Sequence, residues 1–442
     1  MSYELGKISI RKKHYNKAFF IFKNILKQKP NDLKANFQIG KIFYELNDLE
    51  KSIFFFKKCN QIQANTPGIL FNLALALQSI GKVNEAKKQY LKLISNNPND
   101  VKSYYGLFVL DDKNINSTYY DKLQSLISND KISLFEKSLI NFIFSKLEKK
   151  KGNFKNEINF LNISHQQCLN SNLIFNNQSD FYYKEIIPNF FNKIKFEENF
   201  EELKNFNKNE HIFILGLPRS GSTLVETIIS HNSKNIISVG EFHGINTSIL
   251  DQISKIIYSE NFKLENYQLV INRKIFQDSL FEKYYNFEKS VYLDKSLENF
   301  FNIDIILEFF PNAKFIHTYR NYNDSILGIY QSMLPELSWC HDIKHIVNYI
   351  KNYKKTINYY KNKYPNKIID VDLVKLTDDQ ESEVKRILEF CNISVNDNFM
   401  NFHKNKKLFN KTNSFLQVRN RIKKYENDKY KPYYYLLKNL EE

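Results

Sequence analysis

Only four cysteines, Cys59, Cys168, Cys340 and Cys391, occur in the 442 residues, and no two form a CxxC pair. That spacing argues against a zinc centre or a disulfide framework and leaves reduced thiols as the plain reading. No run of 18 apolar residues is present, and the opening stretch MSYELGKISIRKKHYNKAFF lacks an apolar core of signal-peptide type. No membrane span or secretion signal is therefore expected, and the chain reads as soluble and cytoplasmic. Glycine (11) and proline (9) are scarce while Lys, Asn, Ile, Phe and Tyr dominate, a bias that reads as drift of the encoding genome and points to no function. The net charge of +16 is spread along the whole chain with no long basic block. This distribution argues against nucleic acid as a partner and suits an anionic ligand.

The first hundred residues repeat with a period of 34. Gly6, Gly40 and Ala74 are so spaced, as are Ala18, Ser52 and Ala86, then Phe22, Phe56 and Tyr90, then Pro30, Ala64 and Pro98. Small residues at the first two positions let the helices of one hairpin touch, the aromatic fills the groove to the next hairpin, and proline ends the second helix. The pattern resembles the tetratricopeptide repeat, with Asn31-Asp32 and Asn99-Asp100 supplying caps for the helices that follow. Beyond Asp100 the register fades, yet helical periodicity continues through Tyr119–Ile127, Leu134–Leu147 and Phe154–Leu169. Residues 1–169 are expected to form an all-α solenoid closed by degenerate hairpins, 170–210 a helical linker, and 211–442 a second domain.

The chemistry is expected in HIFILGLPRSGSTLVE, His211 to Glu226. Ile212–Leu215 reads as a buried strand, Gly216-Leu217-Pro218 breaks it, and Thr223, Leu224, Val225, Ile228 and Ile229 resume with helical spacing. Strand, tight loop and helix bring backbone N–H groups and a helix N-terminus to one point, a seat for phosphate or sulfate. The spacing Gly216-x4-Gly221 is that of a Walker A loop, but Ser222 stands where a nucleotide triphosphatase carries lysine, and the cation, Arg219, sits inside the loop. That exchange argues against ATP and for another anionic donor. Pro218-Arg219-Ser220-Gly221-Ser222-Thr223 resembles the 5′-phosphosulfate loop, PRSGTT or PKSGTT, of sulfotransferases that use 3′-phosphoadenosine 5′-phosphosulfate (PAPS). The resemblance implies that Gly216 and the six residues from Pro218 to Thr223 bind the donor.

From His211 onward, short strand-like runs alternate with helices: Val291–Leu293 precedes Asp294-Lys295, Lys314–Tyr319 precedes Arg320, and Lys367–Val371 precedes Asp372. This predicts a mainly parallel sheet covered on both faces, with ligands at the carboxyl ends of its strands. Asp294-Lys295, Asn299-Phe300, Phe310-Pro311-Asn312-Ala313-Lys314 and Arg320 resemble the sulfotransferase region that binds the donor's 3′-phosphate. Thr412-Asn413-Ser414 with Gln417-Val418-Arg419 resembles a motif of tetratricopeptide-linked bacterial sulfotransferases, relatives of the protein-tyrosine sulfotransferases. The resemblance covers almost the whole chain and implies an α/β P-loop-type sulfotransferase domain after the solenoid, with Arg320, Ser414 and Arg419 on the donor. One position departs from the pattern: members usually carry serine eight residues after the phosphate-binding arginine, where this chain has Gly328. Ser325, one turn back on the same helix face, is the candidate substitute.

Sulfuryl transfer to a hydroxyl needs a base for the acceptor proton. The resemblance implies Glu241, in Val239-Gly240-Glu241-Phe242-His243, while His243 is the alternative because imidazole titrates near neutrality. Arg219 and Lys295 are the candidate catalytic cations. His341 and His345 are four apart, but HDIKH lacks the HExxH glutamate and a third ligand, so no metal is expected. The resemblance implies transfer from PAPS to a hydroxyl of a protein tyrosine, a sugar or a small molecule, and the concave face of the repeats is expected to position that acceptor. The rivals are a P-loop kinase and a repeat-bearing adaptor with an inactive nucleotide-binding domain. Residues 211–442 are numerous enough to be expected to fold alone.

Overall fold

The computed structural model describes residues 3–197, 210–233, 235–265, 269–283, 291–404, 419–426 and 428–438. Its first half is a stack of helices: α1 (Tyr3–Arg11), α2 (Tyr15–Gln28), α3 (Leu33–Glu45), α4 (Leu49–Ile62), α5 (Pro67–Ser79), α6 (Val83–Asn96), α7 (Val101–Leu110), α8 (Ser117–Ile127), α9 (Leu134–Lys150) and α10 (Phe154–Asn170). The period of 34 acts through packing. A Cβ on Gly6 would lie 2.5 Å from the Phe22 ring and one on Gly40 2.8 Å from the Phe56 ring, so each aromatic rests on the glycine of its own hairpin. In the third register the ring of Tyr90 instead covers Gly106 of α7, where a Cβ would come within 2.4 Å. Asp32 and Asp100 cap α3 and α7 by accepting from the amides of Ala35 and Ser103, as their places after the prolines suggest.

Helices α11 (Leu173–Phe181) and α12 (Ile187–Phe190) flank a π-helical turn at Tyr182–Ile186 and lead to β1 (Lys195–Phe196). Then follow β2 (Glu210–Gly216), α13 (Ser222–Asn232), β3 (Ile236–Gly240), α14 (Gly244–Ile257), β4 (Val270–Ile271), α15 (Arg273–Lys283), β5 (Val291–Asp294), α16 (Ile303–Phe309), β6 (Lys314–Tyr319), α17 (Tyr322–Tyr330), α18 (Ile343–Lys363), β7 (Ile368–Asp372), α19 (Leu373–Asp378) and α20 (Gln380–Phe390). Five strands form a parallel sheet in the order β3-β5-β2-β6-β7, and β1 pairs with β4 in a small parallel sheet of their own. The chain leaves central β2 toward β3 on one side and later returns to β6 on the other, so the carboxyl end of β2 is a topological switch point, the usual ligand crevice of such sheets. The edge strand β3 is the one strand of this sheet that the residue pattern does not announce: Ile236–Gly240 is short and half exposed.

Alternation along β2 divides the core. Ile212 and Ile214 face Val225, Ile228 and Ile229 of α13 and Val384 and Ile387 of α20. Phe213 and Leu215 face the other way, into one continuous cluster of buried side chains that runs from Tyr15 of α2 through the array to Leu437. Array and sheet therefore share a core rather than meeting as two closed bodies.

Contact between the halves has two parts. The turns joining paired helices contain Lys13, Asn47 and Gly81, all with positive φ (56, 62 and 79°) and spaced by 34. Around them Tyr15 packs on Phe242 with ring centroids 6.1 Å apart, Asn47 donates to the Ser238 carbonyl at 3.4 Å, and the Arg419 guanidinium covers Gly81. At the far end, His165 of α10 donates through Nε2 to the Tyr330 carbonyl (2.7 Å) and accepts through Nδ1 from Nδ1 of His341 (2.8 Å). Burial pushes both imidazoles well below the usual histidine range, and for His165 the neighbouring His341 adds to the effect. The unfolded chain takes up protons below about pH 6.5 while the folded pair stays neutral, so stability is full above that pH. It is lost as pH falls toward about 4, the value to which His341 is lowered. Thermal melts should therefore show a Tm lower at pH 5 than at pH 7.5 in the wild type and a flatter dependence in His341→Asn. Equal pH slopes in the two proteins would rule the pair out.

Candidate active site

The loop after β2 is built by backbone constraints. Gly216 has φ +145°, and a Cβ there would lie 2.3 Å from the Thr318 carbonyl oxygen of β6, so glycine alone fits. Gly221 (φ +92°) opens α13, whose N-terminus has no side-chain cap, and Arg219 between them is held at φ +69°. A non-glycine residue in that region stores strain of about 1–3 kcal/mol, a feature that clusters at ligand clamps. Ser220 is buried, and its Oγ lies 2.7 Å from Thr318 Oγ1, tying the loop to β6. The loop, with Ser222 and Thr223 in the first turn of α13, lines a cleft of about 780 Å³.

Arg320, directly after β6, reaches the same cleft. Its Nη2 donates to the Asp324 carbonyl (2.7 Å) and Nη1 to the Tyr425 hydroxyl (3.2 Å), its guanidinium lies over the rings of Tyr425 (5.8 Å) and Tyr430 (5.2 Å), and its buried Nε has no partner among the described residues. Asp324 in turn accepts from the hydroxyls of Tyr425 (2.7 Å) and Tyr434 (2.8 Å). Gly328 now has a physical reason: a Cβ there would sit 2.0 Å from Arg320 Nη2. The arginine fills the space that a serine side chain would need. Ser325 is buried and donates within its own helix to the Asn321 carbonyl (2.9 Å), and it is not among the residues that line the cleft.

The cleft is strongly cationic. Burial, followed by repulsion from Arg320, pushes the Arg219 guanidinium below its ordinary range against the opposing pull of Tyr430. Burial alone would raise the Tyr430 phenol, but Arg320, Lys429 and Arg219 together hold it below the usual tyrosine range. The array adds to this field. Lys146 of α9 donates to the Gln331 carbonyl (2.6 Å) and Lys149 to Gln331 Oε1 (2.7 Å), and burial, then Lys149, Arg219 and Lys429, push the Lys146 ammonium down to about 7. Such a concentration of like charge is what a polyanion would relieve.

On the adjoining wall, Lys295 is buried with its ammonium 2.6 Å from Glu241 Oε1 and 3.8 Å from Glu226 Oε2. Burial opposes its charge, yet the two carboxylates prevail and hold it above the usual lysine range. Glu241 is half exposed (46%) above it. His243 bonds through Nδ1 to Glu298, and its backbone amide donates to the Ser296 hydroxyl oxygen at 2.7 Å. Burial opposes both charges, but pairing raises the imidazole and lowers the carboxyl.

Of the residues singled out from the sequence, Gly216, Pro218, Arg219, Gly221, Ser222, Thr223, Glu241 and Arg320 all line this one cleft, with His243 beside them. Lys295 and Ser220 support it from behind. Arg419 lies elsewhere, its Nη2 donating to the Ser79 carbonyl of α5 at 3.3 Å, and Ser414 falls outside the described residues. Residue patterns did not reveal Glu226, Glu298, Tyr425 or Tyr430. Glu226 closes the loop-helix stretch without being singled out there, and the other three are brought to the site by tertiary packing.

Comparisons with known proteins bear on both halves. Residues 211–397 match the model of the sulfotransferase family, and residues 33–66 and 67–100 each match that of the tetratricopeptide repeat. An uncharacterized protein of Aquifex aeolicus (strain VF5) is 24% identical over 389 residues, 83% of this chain and 48% of that protein. The chain thus spans about half the length of that relative. Among solved structures, the sulfotransferase domain from the Synechococcus PCC 7002 olefin synthase is 17% identical with a TM-score of 0.32, covering 53% of this chain and 91% of that one. The structure of MamA is likewise 17% identical with a TM-score of 0.32, covering 38% of this chain and 96% of its own. The chain joins tetratricopeptide repeats to a domain of the sulfotransferase family.

Proposed function

We propose that this chain transfers the sulfuryl group of PAPS to an acceptor hydroxyl. The observation that carries the reading is the convergence of Arg219, the α13 N-terminus and Arg320 on one cleft whose third wall holds Glu241, backed by Lys295. The loop amides and Arg219 take the 5′-phosphosulfate, and Arg320, whose Nε lacks a partner among the described residues, takes the 3′-phosphate. The acceptor oxygen attacks sulfur in line, its proton passes to Glu241, and the bond from sulfur to the bridging oxygen breaks to release adenosine 3′,5′-bisphosphate. Charge growing on that oxygen meets Arg219, a cation already desolvated and in place, while Lys295 holds Glu241 from behind. Glu241 rather than His243 is assigned the proton because pairing with Glu298, against the opposing burial, favours the charged imidazole, which cannot take a proton, whereas Glu241 is a half-exposed carboxylate. The array serves acceptor placement in this scheme: Tyr15 and Asn47 abut Phe242 and Ser238, neighbours of the base.

Adenosine 3′,5′-bisphosphate should raise the Tm. At 100 times its Kd a ligand that binds only the folded state stabilises by about 2.7 kcal/mol. Arg320→Ala should erase most of the shift. A larger shift with ATP and magnesium than with the bisphosphate would favour a kinase and overturn the proposal.

A further inference from the structure

Around His243 and Glu298 the cleft changes character. The indole of Trp339 stacks on Tyr349, with ring centroids 3.7 Å apart and planes within 4°. Tyr183, from the π-helical turn between α11 and α12, meets Tyr349 edge-on at 5.6 Å. Met333 and Leu337, from the segment between α17 and α18, complete an apolar wall of the cleft. π-Helical turns recur at functional sites because they re-aim a side chain from a helix, and this one sends Tyr183 into the cleft while Tyr182 is anchored on Asn246 Oδ1 at 2.6 Å. Trp339 and Tyr349 are nearly buried against one another and line a largely apolar recess, which suits a flat ring. A sugar would leave its hydroxyls without partners along such a wall.

Carboxylates gather at this end of the cleft. Glu241, Glu298 and Glu336 all line the cleft, and Glu336 is exposed at its lip. Lys295 offsets Glu241 from below and His243 offsets Glu298. The Glu298 carboxylate also looks onto the aromatic wall: after burial, it is the first charge that raises the phenol of Tyr183. An anionic acceptor would meet these carboxylates, whereas a cation near an aromatic face and an acidic lip is attracted by both.

Resting on the sulfotransferase reading above, we infer that the acceptor is a phenol bearing a cationic group, its ring in the recess lined by Tyr183, Met333, Leu337, Trp339 and Tyr349 and its positive end toward Glu336. A small phenolic amine and a tyrosine flanked by lysines share this chemistry.

The test uses the full chain with PAPS and three para-substituted phenols of similar shape, tyramine (cationic), p-cresol (neutral) and 4-hydroxyphenylacetate (anionic), with methyl glucoside as the sugar. The kcat/KM for tyramine should exceed that for 4-hydroxyphenylacetate by about tenfold or more, with p-cresol between them and the glucoside lowest. Glu336→Gln should shrink the tyramine-to-cresol ratio through KM. Trp339 is the one tryptophan of the chain, so tyramine should quench the intrinsic fluorescence of the bisphosphate complex without any turnover. A Lys-Tyr-Lys peptide turned over faster than tyramine would assign the cationic phenol to a polypeptide, and the reverse order to a small molecule. If the bisphosphate stabilises the protein but the anionic phenol or the glucoside is preferred, this inference falls and the sulfotransferase reading stands. If the bisphosphate neither stabilises the protein nor inhibits turnover, that reading fails and this inference with it.

Discussion

Arg219→Ala is expected to lower kcat by about 10²-fold or more while leaving the folded state intact. Removing one donor aimed at charge that develops in a transition state typically costs that much. The sequence suggests a loop cation of little structural weight, and the structure refines this: the guanidinium is desolvated, faces Arg320 and Tyr430, and grows from a backbone at φ +69°. Alanine inherits the same strained backbone, so the loop keeps its shape without the charge. Because Arg320 and the α13 N-terminus remain, stabilisation by adenosine 3′,5′-bisphosphate should fall only in part, which separates binding from turnover. Steady-state rates within a few-fold of wild type would remove Arg219 from the mechanism.

Deleting residues 1–169 is expected to give insoluble protein that no longer responds to the bisphosphate. Chain length alone suggests that residues 211–442 fold independently, but the packing differs. Tyr15 on Phe242 and His165 stacked on Tyr330 at 4.5 Å belong to an interior that array and sheet build together, and Phe154 meets Tyr433 at 5.5 Å at its edge. Fully exposing a large apolar side chain costs about 1.5–3 kcal/mol, so a handful of them matches the whole stability of a domain, about 5–15 kcal/mol. Lys146 and Lys149 would also be lost from Gln331, beside the cleft. Soluble yield and a bisphosphate melt of the truncated chain decide the matter. A monomeric, ligand-responsive fragment would show that the shared interior is dispensable.

Local chemistry was legible wherever backbone geometry left a mark in the residues. The Gly216-x4-Gly221 loop follows from the glycines, the strands at 291–294 and 314–319 from β-rich runs ending in polar residues, and the hairpins from the period of 34. Side chains that arrive by packing left no such mark. Tyr425 and Tyr430 close over Arg320 from a segment with no regular secondary structure, and Glu298 reaches His243 across 55 positions. Gly328 shows the limit most plainly. From the sequence it reads as a missing phosphate ligand, with Ser325 offered in its place, yet in the fold it is the clearance that lets Arg320 lie where it does. Arg419 likewise reads as a donor-binding residue and in the fold lies on Gly81 of the array.

The row of positive-φ turns at Lys13, Asn47 and Gly81 restricts how such a chain can change length by duplication. Each turn abuts a different part of the second domain, and at the other end α10 is pinned to it through His165 and His341. A hairpin copied into the middle of the stack would separate the two ends by at least one helix-packing distance, about 8–10 Å, and at most one set of contacts would stay seated. Copies stacked outward on α1 leave both sets of contacts seated, and the exposed Leu5 and Ile8 of that helix give them an apolar face to cover. Tandem duplication, the easiest genetic route to a longer solenoid, is thereby confined to one end.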